Sequence, residues 1–262
     1  MGSMQLDQST LKTLVSGLKD YNPTAYELMG QVAIALVPVG LVILSILMYV
    51  ELAENNKRVA VEHGQVNVDM LMSVMWKYVV AYVLVMTSGY LIDTIMWLNG
   101  AIATIIDKVM VDNANVELVI PKIQGKLGMM ERLFINAMMG ISTMTFWFAG
   151  IVVKVLIFLR FFQLFLYKAA APIMVAGYIS EEWRPTAIGY IKQFSALCIQ
   201  GFLLIIILKL YPALMTNDMF KIAAEGSFLK NLATCFLTLL KSGVLIFVLI
   251  GSQQMAKRWM GV

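Results

Sequence analysis

Histidine, cysteine and charge are all scarce in this 262-residue chain, and each scarcity closes off a class of chemistry. His63 is the only histidine and lies in a polar segment, so histidine-based catalysis and metal binding are poorly supplied. Cys198 and Cys235 are far apart in sequence, have no histidine nearby, and fall inside apolar stretches. They make neither a zinc site nor a redox pair, and the default is a small apolar packing role. Only 14% of residues are charged, and no polar segment exceeds about 27 residues, too short for a separate soluble domain. There is no glycine-rich phosphate loop, no nucleophile elbow, no carboxylate pair at useful spacing and no metal-ligand cluster. The chain reads as a non-enzyme, and no cofactor is implied. The N-terminus lacks the basic, apolar and small-residue pattern of a signal peptide, and Leu6 stands where N-myristoylation wants Ser or Thr. Residues 1–3, ahead of Met4, read as a cloning remnant.

What is present is apolar sequence. Hydrophobic residues make up 60% of the chain and the mean hydropathy is +0.79, far from globular averages. Residues 28–50 run 23 positions without a charge, about 34 Å of helix, enough to cross a hydrocarbon core of about 30 Å. Four more stretches complete the set: 78–106, 131–168, 193–211 and 231–256. The expected fold is therefore all-α: a polytopic membrane protein of about five transmembrane helices plus N-terminal and central interfacial helices. Residues 4–27 form an amphipathic N-terminal piece, and 28–262 form one helical membrane domain in contact with lipid. The net charge of +4 suits anionic headgroups. Lys and Arg divide about eight against nine between the two sides, so the positive-inside rule gives no orientation. No internal repeat supports an inverted-repeat transporter.

Along the chain, Leu11, Leu14, Val15 and Leu18 share one helical face, which predicts a helix lying on the membrane surface, with Asp7 or Ser9 as cap. Asn22-Pro23 turns the chain into the first span, and Pro38 should kink it. Residues 51–69 read as a mixed-charge loop, and the cluster Met70, Met72, Met75 as lipid-facing or packing methionines. Residues 116–123 are too short to span and read as an interfacial or subunit-contact element. The third block has no turn signal, which favours one long helix over 131–168, ended by Ala169-Ala170-Ala171-Pro172. Residues 173–180 then read as a re-entrant or interfacial piece.

Polar groups inside apolar spans are expensive and mark function by default. On an ideal helix Arg160 and Lys168 lie at about 240° and 320° from Lys154, so the three share an arc of about 120° over roughly 21 Å. Such a stripe either faces a water-filled path for an anion, a nucleic-acid backbone included, or is merely solvated where the helix leaves the membrane. Asp93 and Lys241, each in the middle of a span, make a candidate intramembrane pair, structural or proton-relaying. Gln163 and Gln200 offer interhelical hydrogen bonds.

The stretch 158–211 resembles a known family. Its residues include Leu-Tyr-Lys-Ala-Ala-Ala-Pro-Ile at 166–173, then an acidic turn with Trp183 and Arg184, then Gln-Gly-Phe at 200–202. They are similar to the TrbL-like inner-membrane components of conjugative type IV secretion systems, closest in look to Gram-positive elements. The resemblance implies a multi-pass protein of the bacterial cytoplasmic membrane that homo-oligomerises at the base of a translocation channel. It would work beside secretion ATPases and other secretion-system membrane subunits, and pass single-stranded DNA bound to a relaxase. Lys168, Pro172 and Trp183 carry over as structural landmarks. Lys154, Arg160 and Lys168 would offset phosphate charge along the path without reading sequence. The rival expectation is a self-contained small-solute or ion transporter using Asp93 and Lys241.

Overall fold

The structure, a computed structural model, describes residues 8–62, 68–109, 128–215 and 225–262. Among them are eight helices and no strand: α1 (Gln8–Val15), α2 (Leu18–Tyr21), α3 (Pro23–Glu62), α4 (Val68–Met86), α5 (Ser88–Val109), α6 (Met129–Ala176), α7 (Arg184–Met215) and α8 (Ser227–Met260). Five helices are long and apolar enough to cross a membrane: α3, α5, α6, α7 and α8. The chain is an all-α multi-pass membrane protein, as its composition predicts. His63 and the element expected at 116–123 lie outside the described residues.

Local chemistry explains most helix boundaries. The N-terminal amphipathic segment is two short helices, broken at Gly17, whose backbone is extended (φ −70°, ψ 168°). Its apolar face is buried at Leu14 and Leu18. Ser9 is the second residue of α1, and Asp7, the other cap candidate, lies outside the described residues. The Asn22 side chain accepts a hydrogen bond from the Ala25 N–H at 3.0 Å, and Pro23 holds the first helical position, so α3 begins five residues before the apolar run. α3 also passes the expected end of the first span. Residues 51–62, read above as the start of a loop, continue the helix to Glu62. They contain neither Gly nor Pro, and Glu, Leu, Ala, Lys and Arg are good helix formers, so charge alone did not end it.

The apolar run at 78–106 is interrupted at Thr87, between α4 and α5. The hydrogen-bond ladder survives: the Thr87 N–H donates to Val83 O at 2.9 Å, and the Leu91 N–H to Thr87 O at 3.1 Å. The Thr87 hydroxyl also donates to Val83 O at 2.8 Å, a back-bond that bends helices.

α6 is one helix, as expected, but longer: 48 residues, about 72 Å. At its start the Gly128 N–H donates to the Glu131 carboxylate at 2.9 Å, one half of a capping box. Contrary to expectation, Pro172 does not end it; the helix continues to Ala176. Residues 173–180 do not form a separate element. They supply the last turn of α6 and a tight connection in which Ile179 is buried.

The described chain forms two compact units. One takes Ser16–Asn99, Phe161–Cys198 and Lys257–Val262. Its core joins Leu44 of α3, Val74, Tyr78, Ala81 and Val85 of α4, and Val175, Ala176 and Ile179 around the end of α6. α3 and α6 approach closely: a Cβ on Gly40 would lie 2.7 Å from the Pro172 carbonyl oxygen. Tyr21 stacks on Phe161, centroids 3.8 Å apart. The other unit takes Met1–Val15, Gly100–Arg160 and Ile199–Ala256. In it the Ser142 hydroxyl donates to Cys235 O at 3.0 Å, tying α6 to α8, and the Tyr211 hydroxyl donates to Lys241 O at 2.6 Å, tying α7 to α8. Lys209 of α7 pairs with Asp107 of α5 at 2.5 Å.

Lipid contact follows from the outer faces. The best apolar window of α7 is 61% buried, against 17% in α3 and 22% in α5 and α8. Ile34, Tyr90, Trp97, Trp147 and Phe247 are all exposed large apolar side chains, which a hydrocarbon solvent accepts.

Candidate functional site

The chemistry concentrates around Asp93 in the unit that holds the beginning of α3. Lys168 of α6 reaches both carboxylate oxygens of Asp93, at 2.7 and 2.9 Å. The Tyr26 hydroxyl of α3 donates to Asp93 Oδ2 at 2.8 Å, and Lys168 Nζ stands 3.6 Å from the centre of the Tyr26 ring. The ammonium is thus held by two carboxylate oxygens and an aromatic face, which compensates its removal from solvent. The pair is asymmetric: the Lys168 side chain keeps 5% of its exposure and Asp93 keeps 33%. The lysine is sunk into protein and the carboxylate looks outward.

It looks into a cavity of about 380 Å³ between α3, α5 and α6, whose lining includes Tyr26, Glu27, Gln31, Asp93, Lys168 and Pro172. Glycines keep it open: an added Cβ at Gly30 or Gly89, both in the lining, would meet nothing within 4 Å.

The residues singled out from sequence have different surroundings in the structure. The Asp93 carboxylate is occupied by Lys168 and Tyr26. Lys241 belongs to the other unit, where its carbonyl accepts from Tyr211. The helical arc shared by Lys154, Arg160 and Lys168 is not one exposed surface. Lys154 is exposed, whereas Arg160 is 2% and Lys168 4% exposed. Arg160 lays its guanidinium over Gly201 of α7, filling the space where any larger residue would put a Cβ. Gln200 is buried and Gln163 half-buried.

Sequence reasoning missed three polar groups. Glu51 accepts from Lys77 and from the Tyr78 hydroxyl, each at 2.7 Å, pinning α3 to α4. Tyr167 donates to Gln193 at 2.5 Å and accepts, through its carbonyl, the Tyr190 hydroxyl, so α6 and α7 are joined there. Lys209 with Asp107 is the third. In each case the partners are 23 to 102 residues apart, and one sequence carries no spacing signal for such contacts.

Among the described residues no three His, Cys, Asp or Glu side chains gather as metal ligands. Cys198 lies 3.5 Å from the Met96 sulfur and Cys235 is buried, both in packing roles. Fold and site together define the class: a multi-pass helical membrane protein with a half-buried ion pair lining a cavity. Comparison with protein-family models, with curated proteins and with solved structures gives no match.

Proposed function

We propose that this chain is a scaffold or channel-forming subunit of a conjugative type IV secretion system in the bacterial cytoplasmic membrane. In this reading it self-associates and works beside other membrane subunits and secretion ATPases to pass relaxase-bound single-stranded DNA. It carries no catalysis of its own.

The observation that supports the reading is where the resemblance-bearing residues fall. Lys168 holds Asp93, Pro172 meets Gly40, Trp183 covers Gly177, and Gly201 receives Arg160. Each is a packing requirement of this fold, as expected of residues that define a structural family rather than an active site. Burial of Arg160 and Lys168 shifts the weight toward scaffold, and Lys154 is the part of the arc left to face a polyanion.

The test is mating frequency from donors lacking the gene, with and without the gene restored in trans. Loss of transfer with rescue is expected; normal transfer without the gene would overturn the reading. Lys154→Glu then separates the two roles. Reduced transfer at unchanged membrane level supports a lumen-facing lysine, and unchanged transfer leaves the scaffold alone. Arg160→Glu is the wrong probe, because it would bury an acid against Gly201 and test folding instead.

One observation favours a second reading, a small-solute or ion transporter: the cavity beside Asp93 and Lys168. Movement of an ion or solute by the purified protein in liposomes, without partners, would favour it.

A further inference from the structure

We infer that the cavity between α3, α5 and α6 is a phospholipid site that takes an ethanolamine headgroup. The inference concerns the isolated protein and stands whether or not the secretion reading does.

The polarity of the lining is graded along α3. Tyr26, Glu27 and Gln31 lie at one end of this stretch and Ala33, Ile34 and Val37 follow toward the other; Met86 is also in the lining. From 26 to 37 the helix rises about 16 Å, so within one cavity the wall passes from ionisable groups to hydrocarbon. A free solute in water has no use for that gradient. A lipid does, because its headgroup and first methylenes follow the same order.

The mouth carries the same message. Ile34 is 72% and Tyr90 77% exposed, so two large apolar side chains of the lining also belong to the outer surface. Tyrosine with an exposed ring and a polar tip is the side chain that membrane interfaces favour.

Charge selects the headgroup. Lys168 is spent on Asp93 and Tyr26 and is nearly inaccessible. The charges an incoming group meets are the outward side of Asp93 and the exposed Glu27. With Lys168 counted, the three ionisable groups sum to one negative charge, so the cavity attracts a cation and repels an anionic headgroup. A primary ammonium also offers N–H donors to the two carboxylates, which a quaternary one lacks. The Gln31 amide and Tyr90 hydroxyl remain as donors for the phosphate.

The space is held open at a cost. Gly30 and Gly89 both lie inside helices, where glycine is less favourable than alanine by about 1 kcal/mol. No neighbour demands their smallness, since a Cβ on either meets nothing within 4 Å.

The experiment is native mass spectrometry of the purified full chain from nanodiscs of equimolar phosphatidylethanolamine and phosphatidylglycerol. Retained phosphatidylethanolamine should exceed phosphatidylglycerol by about fivefold, the upper end for a solvent-accessible ion pair. Glu27→Gln should bring that ratio toward one while lipid is still retained. Gly30→Leu should displace the lipid with elution volume and helical circular dichroism unchanged, and Gly89→Leu should do the same. Equal retention of the two lipids by the unaltered protein would overturn the inference. So would full retention in both glycine variants. Release of the retained lipid by free ethanolamine alone would make the occupant a soluble amine, and also overturns it.

Discussion

Gly40 is where the packing makes its sharpest quantitative demand. α3 and α6 meet there with a backbone carbonyl, that of Pro172, so close that an added Cβ would lie 2.7 Å from its oxygen and 3.1 Å from its carbon. That is about 0.7 Å inside ordinary van der Waals contact, and the atoms in the way cannot rotate aside as a side chain would. Overpacking of this kind costs about 1–3 kcal/mol. Alanine in a helix gains about 1 kcal/mol over glycine, which would mask part of the effect if Gly40→Ala were measured alone. Gly30, in the same helix, removes the ambiguity: a Cβ there meets nothing within 4 Å. Gly30→Ala should be neutral or slightly stabilising, and the difference between the two variants should be about 1–3 kcal/mol because the propensity terms cancel. Reversible unfolding of the detergent-solubilised protein, followed by helical circular dichroism, measures it. Val85→Ala should not rescue Gly40→Ala, because the Val85 methyl, at 3.2 Å, is the farther obstacle. Equal stability of the two alanine variants, within about 0.5 kcal/mol, would refute the close approach of α3 to α6.

The Asp93–Lys168 pair should respond unequally to its two single substitutions. Asp93→Asn leaves a nearly inaccessible ammonium uncompensated and should cost about 3–5 kcal/mol, whereas Lys168→Met leaves a carboxylate still one-third exposed and should cost less. The double variant should cost less than Asp93→Asn alone; additive losses in the same unfolding assay would mean the two groups are not coupled. Cys198 and Cys235, both buried, should resist a membrane-permeant maleimide in the folded protein and label only after denaturation. Rapid labelling of either in intact membranes would contradict its packing.

The fold was legible because lipid solvent leaves few options. A chain with long uncharged runs must satisfy its backbone internally, and helices do so segment by segment. The boundaries were harder. The extension to Glu62 follows from helix propensity overriding a charge-rich composition, and the survival of α6 through Pro172 follows from tertiary support. Proline removes one hydrogen bond, but at this position its carbonyl packs on Gly40 and the last turn closes into the Leu44 and Val85 cluster. Neither Gly40 nor Val85 is near Pro172 in sequence. Local signals were outweighed by contacts that only the assembled helices create.

The site was half legible, and the missing half has a physical cause. Asp93 and Lys168 were both conspicuous, since a charge in an apolar span must be neutralised or hydrated. Which cation meets which anion depends on how α3, α5 and α6 cross, and helical periodicity alone gives the face of a residue, not its opposite number. The wheel therefore grouped Lys168 with Lys154 and Arg160 correctly in angle and wrongly in environment. Along 14 positions the surroundings change from exposed at Lys154, to buried against Gly201 at Arg160, to buried in an ion pair at Lys168. A buried arginine over a glycine has a readable consequence of its own. Replacing Gly201 puts a side chain into the guanidinium, whereas replacing a glycine such as Gly140 or Gly243, where a Cβ meets nothing, does not. Reading charge together with the glycines of neighbouring helices would have separated the interior cations from the exposed one, and periodicity by itself does not contain that information.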